Sequence, residues 1–209
     1  FPPLFDSIGP VPKFVENDWI ELEYIGNISK YGSTIGHGYP NEDSSLSNKH
    51  YFNPFLEYGN SNDTIKTFAP AKVRVVKIEI EQHQLGDGTF RGQQIHLKSV
   101  LHPAITFVFF HQNIEPTNLS INMILDPGDW IGYCDCREFS NVDIAIFRGS
   151  ETISWFEILM ENFIGNYTAR GIPSREYMIK NATEISQSAN AGYNFTNPDP
   201  TDWVDLTRP

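Results

Sequence analysis

The chain has 209 residues, enough for one domain or one domain with appendages, and its 40% hydrophobic and 13% aromatic content supplies a real core. Fifteen Phe, nine Tyr and four Trp favour a β-rich fold. A net charge of −11 argues against nucleic-acid binding, which needs clustered Lys and Arg, and no apolar run is long enough for a membrane span.

In chain order, residues 1–14 form a Pro-rich apolar arm with Phe1, Leu4, Phe5 and Phe14. Such a segment has no core of its own and must dock on the body or on a neighbouring molecule, or stay disordered. The opening FPPLFDSIGP lacks an initiator Met and has the look of a mature terminus after signal removal. Residues 18–26 alternate as a strand, and 27–49 form a long polar loop holding His37, Tyr39 and an acidic tip at Glu42 and Asp43. In KVRVVKIEIE the inward set is Val73 and Val75, then Val76, Ile78 and Ile80. That one-residue slip predicts a β-bulge. QQIHLKS is a further strand. Ile105 to Phe110 is apolar on both faces and reads as a central strand. Asp126-Pro127-Gly128-Asp129 is a turn, and Val142 to Ile146 is a strand with Ile144 and Ile146 on one face and Asp143 and Ala145 on the other. After Gly149 the pattern turns helical: Ser154 caps WFEILMENFIGNY, and Pro173-Ser174-Arg175-Glu176 starts a second helix running to about Ile185.

Asn-x-Ser/Thr occurs at Asn27, Asn62, Asn118, Asn166, Asn181 and Asn194, where chance would give about two. The excess points to a secreted or cell-surface chain carrying N-linked glycans. Cys134 and Cys136, two apart, read as small residues at a strand end. They have no second Cys/His pair to complete a zinc ribbon.

The order of these features carries a resemblance. APAKVRVV leads into a strand, ITFVFFHQN ends a strand in His111, and PGDWIG closes a turn before VDIAI. Over about residues 48–148 this resembles the lysostaphin-type zinc metallopeptidases. The resemblance implies a mainly-β, barrel-sandwich-hybrid-like core over 35–150, preceded by the arm and a strand (1–34) and followed by an extension with one or two helices (151–209). Such peptidases hold zinc through a His and an Asp in H-x-x-x-D and the second His of a His-x-His strand. Here His50 falls at the first motif, but Pro54 stands at the Asp position, and Asp143 and Ala145 stand where the two histidines belong. A remodelled site of His50, His111 and Asp143, with His37 or Asp43 reaching over it, is the set a zinc ion would need. Asp143 paired with His111 as a relic is the alternative.

The favoured expectation is therefore a secreted, glycosylated pseudoenzyme without a resident cofactor, serving extracellular binding or self-assembly. The arm would dock in the next subunit of a homo-oligomer or filament. A metal-dependent peptidase or cell-wall hydrolase is one alternative. A carbohydrate-binding module using Tyr39, Tyr51 and Trp130 is the other.

Overall fold

A computed structural model describes residues 9–40, 46–82, 84–89, 91–137 and 141–209. Asp43, Glu42 and the first eight residues of the arm therefore lie outside the described residues.

The fold is mainly β, with antiparallel strands and short helices towards the C-terminus, as expected. The strands are β1 (Ile25–Ser29), β2 (His50–Pro54), β3 (Lys66–Phe68), β4 (Val73–Ile80), β5 (Gln93–Ser99), β6 (Ile105–Asn113), β7 (Ile124–Leu125), β8 (Trp130–Cys134), β9 (Val142–Arg148), β10 (Glu151–Ile153) and β11 (Trp203–Asp205). The main path runs β11-β1-β2-β9-β6-β5-β4-β7, with β10 on β9, β8 on β6 and β3 on β8. β6 sits in the middle. Phe107 and Phe109 enter the main core, while Val108 and Phe110 pack on the other face with Ala145, so both faces are covered as its sequence predicts.

The slip predicted in β4 is present: Val75 pairs with Leu97 and Lys77 with His96, leaving Val76 as the extra residue. Beyond it the inward reading holds only for Ile78, which is half-buried against the main core. Val73 and Val75 are fully buried, but Val76 and Ile80 are exposed (38% and 61%). Nothing in the sequence reveals that Val76 and Ile80 leave the core. β9 alternates as expected, with Val142, Ile144 and Ile146 in the main core.

Three local expectations are corrected by tertiary pairing. Residues 18–26 are not one strand: Ile20 bridges Thr67, Leu22–Tyr24 is a 3-10 turn, and β1 begins at Ile25. The helix from Ser154 starts with the predicted cap, Ser154 Oγ accepting from Phe156 N at 3.1 Å and Glu157 completing a capping box. It stops after α1 (Trp155–Ile158), because Leu159 is drawn into a parallel bridge with Val15, and resumes only at α2 (Ile164–Thr168). Likewise Ile179 bridges Tyr31. The second predicted helix becomes a 3-10 turn at Glu176–Met178 followed by α3 (Ala182–Asn190), capped by Asn181. In both places a passing segment offers backbone partners that a local helix propensity cannot outbid.

The first of those segments is the arm itself. Phe14 and Val15 both donate to Ile158 O (2.9 and 3.1 Å), Arg148 Nη1 donates to Gly9 O at 2.8 Å, and the Phe14 ring lies 4.4 Å from that of His102. Residues 9–15 are thus docked on their own body. One contiguous core runs from Val15 and Trp19 through the strands to Trp155, Tyr167 and Leu206.

Candidate functional site

A cavity of about 610 Å³ is lined from β2 (Tyr51), β4 (Glu79, Ile80), β5 (Gln94) and β6 (Phe110, His111). Its floor is a chain of charges. Asp143, on β9, is fully buried; its Oδ2 lies 2.5 Å from Lys49 Nζ and its Oδ1 lies 3.0 Å from His111 Nε2. His111 Nδ1 meets Glu81 Oε2, and the His111 backbone N–H donates to Glu81 Oε1 at 2.9 Å. The contacts to Asp143 are close, but neither of its oxygens has an aligned hydrogen bond, so they are ion contacts rather than well-made bonds. Lys49 is 2% exposed, and its ammonium sits over the rings of Phe110 (4.5 Å) and Tyr51 (4.9 Å).

Two local features aim these groups. Tyr51 pairs directly with Asp143 across β2 and β9, so Lys49 and Tyr51, two residues apart, face Asp143. His50 pairs with Ile144 and faces the other way. His111 owes its direction to its backbone. Plain alternation puts it on the core face with Ile105, Phe107 and Phe109, but a φ of 55° turns its ring to the Asp143 side. Gly36 (φ +65°) brings the chain around it down on Tyr51: a Cβ there would stand 2.2 Å from the ring. His37 N then donates to Tyr51 Oη at 3.1 Å, and His37 and Tyr39 line the cavity.

Charge is fixed by proximity. Burial pushes the Asp143 carboxyl up, but Lys49 and His111 outweigh it and hold the group well below the usual carboxylate range. Burial likewise opposes the charges of Lys49 and His111. For Lys49 the Asp143 carboxylate, and for His111 the carboxylates of Asp143 and Glu81, prevail and hold each cation above its ordinary range. With a carboxylate beside each ring nitrogen, His111 is an imidazolium, hydrogen-bonded at Nδ1 to Glu81 and in ion contact at Nε2 with Asp143.

The proposed ligand set is therefore brought together only in part. His111 and Asp143 meet, while His50 is 1% exposed on the opposite face, with Nδ1 on Ser29 O and Nε2 on Ser154 Oγ, both at 2.7 Å. Burial lowers its pKa to about 4, so it is a neutral structural bridge between β1, β2 and the α1 cap. Among the described residues no three His, Cys, Asp or Glu side chains are grouped to hold a metal. Zinc, implied by the peptidase resemblance, does not fit these residues: an ammonium is already packed on Asp143, and carboxylates take both nitrogens of His111. Of the three aromatics considered for sugar binding, Tyr39 and Tyr51 share the cavity, though Tyr51 is 6% exposed, and Trp130 meets Tyr133 edge-on and is not part of the lining. Cys134 and Cys136 are buried thiols. Sequence reasoning named Tyr51 only as a sugar platform and missed Lys49 and Glu81. The signal was the alternation of KHYFN itself, which puts the residues flanking His50 on the Asp143 face.

No family model matches the chain, and no curated protein matches it. Among solved structures the chain is similar to lysostaphin in solution (15% identity, TM-score 0.44, covering 67% of this chain and 51% of that one). It is also similar to Csd3 of Helicobacter pylori (10% identity, TM-score 0.47, 94% of this chain and 47% of that one). A third is CbpA of L. salivarius REN (15% identity, TM-score 0.33, 59% and 79%). The chain spans about half the length of the lysostaphin and Csd3 structures. Likeness at this level says nothing about chemistry, and the site stands on its own geometry.

Proposed function

We propose that this chain is a peptidase-like β domain without catalytic activity, working outside the cell by binding and self-assembly. One observation carries the non-catalytic reading: among the described residues, Lys49, His111, Asp143 and Glu81 beneath the cavity neutralise one another. Lys49 and Asp143 cancel, and His111 is pinned between two carboxylates. A hydrolase needs a free base or an open metal position beside its substrate. The cavity above that floor, lined by Tyr39, Gln82, Gln94 and Asn141, suits ligand recognition. Exposed sequons at Asn118, Asn166, Asn181 and Asn194 support the extracellular setting. Because residues 9–15 are docked in cis, a contact to the next subunit falls to the segment ahead of Gly9.

Metal content of protein purified without chelator, paired with hydrolysis of peptide and peptidoglycan substrates, tests the non-catalytic reading. The expected result is substoichiometric metal and no turnover. One divalent metal per chain, with hydrolysis abolished by chelator, would overturn it. Size measurement of a variant lacking residues 1–8 tests the assembly: smaller species are expected, and an unchanged assembly state sinks the role of the arm.

A further inference from the structure

The Lys49–Asp143 pair has a chemistry beyond neutralisation. We propose that Lys49 and Asp143 condense into an intramolecular amide that cross-links the residue just ahead of β2 to β9. The two strands are already hydrogen-bonded neighbours, with Tyr51 opposite Asp143, so joining these side chains needs no backbone rearrangement. Nζ lies 2.5 Å from Oδ2, and the side chains are 2% and 0% exposed.

The surroundings favour a neutral product. The pair is almost wholly inaccessible, the ammonium faces aromatic rings, and neither Asp143 oxygen has an aligned hydrogen bond. A buried ion pair so poorly solvated carries a large desolvation cost. Proton transfer from Nζ to Oδ2 inside the pair gives a neutral amine facing a carboxylic acid. The charged pair is the resting form, so this minority form makes the reaction slow, and the product makes it single-turnover.

The step balances within the pair. Nζ attacks Cγ, forming the Nζ–Cγ bond, and negative charge develops on Oδ1. The His111 imidazolium, 3.0 Å from Oδ1, stabilises that charge, and Glu81 fixes the ring in place. Cγ–Oδ2 then breaks, and Oδ2 departs as water with two of the three Nζ protons. One positive and one negative charge vanish together, and no oxidant or co-reactant is needed. The water leaves into the cavity, which Lys49 lines. His111 touches a reacting atom and is the catalytic residue of this reaction.

A second buried Lys–Asp contact shows what the first lacks. Lys180 meets Asp202, but Asp202 Oδ2 also accepts from Thr34 N (2.7 Å) and Thr34 Oγ1 (3.0 Å), and Lys180 donates to Ser188 Oγ at 2.6 Å. Those bonds stabilise the charged form, and among the described residues no imidazole is paired with either group.

The test is the intact mass of the full chain, produced without glycosylation and measured after denaturation. Wild type is expected to weigh one water less than its sequence. A tryptic fragment should join the peptides of Lys49 and Asp143, with the Lys49–His50 bond uncut. Lys49→Arg and Asp143→Ala should return the full sequence mass, and His111→Asn should approach the lighter mass many-fold more slowly after refolding. Wild type at full mass after prolonged incubation overturns the proposal whether or not the variants fold. Water loss mapped inside one peptide, or to Lys180 and Asp202, overturns it equally.

Discussion

His50 offers the sharpest test of how the interior is wired. It is fully buried, Nδ1–H donating to Ser29 O and Nε2 accepting from the Ser154 hydroxyl, an arrangement only a neutral imidazole makes. Burial sets its folded pKa at about 4 against an ordinary 6.5. Above pH 6.5 both states are neutral and stability does not depend on this group. As pH falls from 6.5 to 4 the unfolded chain takes up a proton that the folded chain refuses, and stability is lost. The slope is about 1.4 kcal/mol per pH unit, so moving from pH 7.5 to 4.5 removes about 2.5 kcal/mol through His50 alone. Asp18 works in the opposite direction over an overlapping range, so the wild-type curve does not isolate the effect. The assay is guanidinium unfolding of wild type and His50→Gln at both pH values. The expected result is a wild-type loss exceeding the variant's by about 2.5 kcal/mol. Equal losses would refute a buried neutral His50.

Asp18, half-buried and accepting from Tyr167 Oη at 2.6 Å, has its pKa raised by desolvation to about 6. Its contribution is complete below pH 3.8 and lost as pH rises through 6. Relative to Asp18→Asn, wild type should therefore gain about 2 kcal/mol on going from pH 7.5 to 4.5, measured by the same unfolding assay. Gly36→Ala forces a Cβ against the Tyr51 ring at a positive φ and should cost about 1–3 kcal/mol by thermal unfolding; an unchanged midpoint would mean that the loop does not press on Tyr51. When the chain is made through a secretory route, glycopeptide mapping should find Asn118, Asn166, Asn181 and Asn194 occupied. Asn27, inside β1 and paired on both sides, should be bare, and a glycan there would contradict the β1 pairing.

Much of the fold was legible because its signals are local. The alternation of β9, the double-faced β6, the slip at Val75–Val76 and the Ser154 cap each depend on a few adjacent residues, and each is present. So is the meeting of a strand-end His111 with Asp143. The helices were misread because Val15 and Tyr31, distant in sequence, bridge Leu159 and Ile179 and take their backbone out of the helix. The site turned on phase. His50 was placed with Asp143, but register across β2 and β9 sends it to the core face and brings Lys49 and Tyr51 in its place, since a shift of one residue inverts every side chain. A left-handed φ at His111 then reverses that ring as well. By itself the sequence determined that strands of this kind form in this order. Only the tertiary structure decided that a lysine ammonium holds the carboxylate, because which face a residue takes is set by its partner strand and not by its neighbours in the chain.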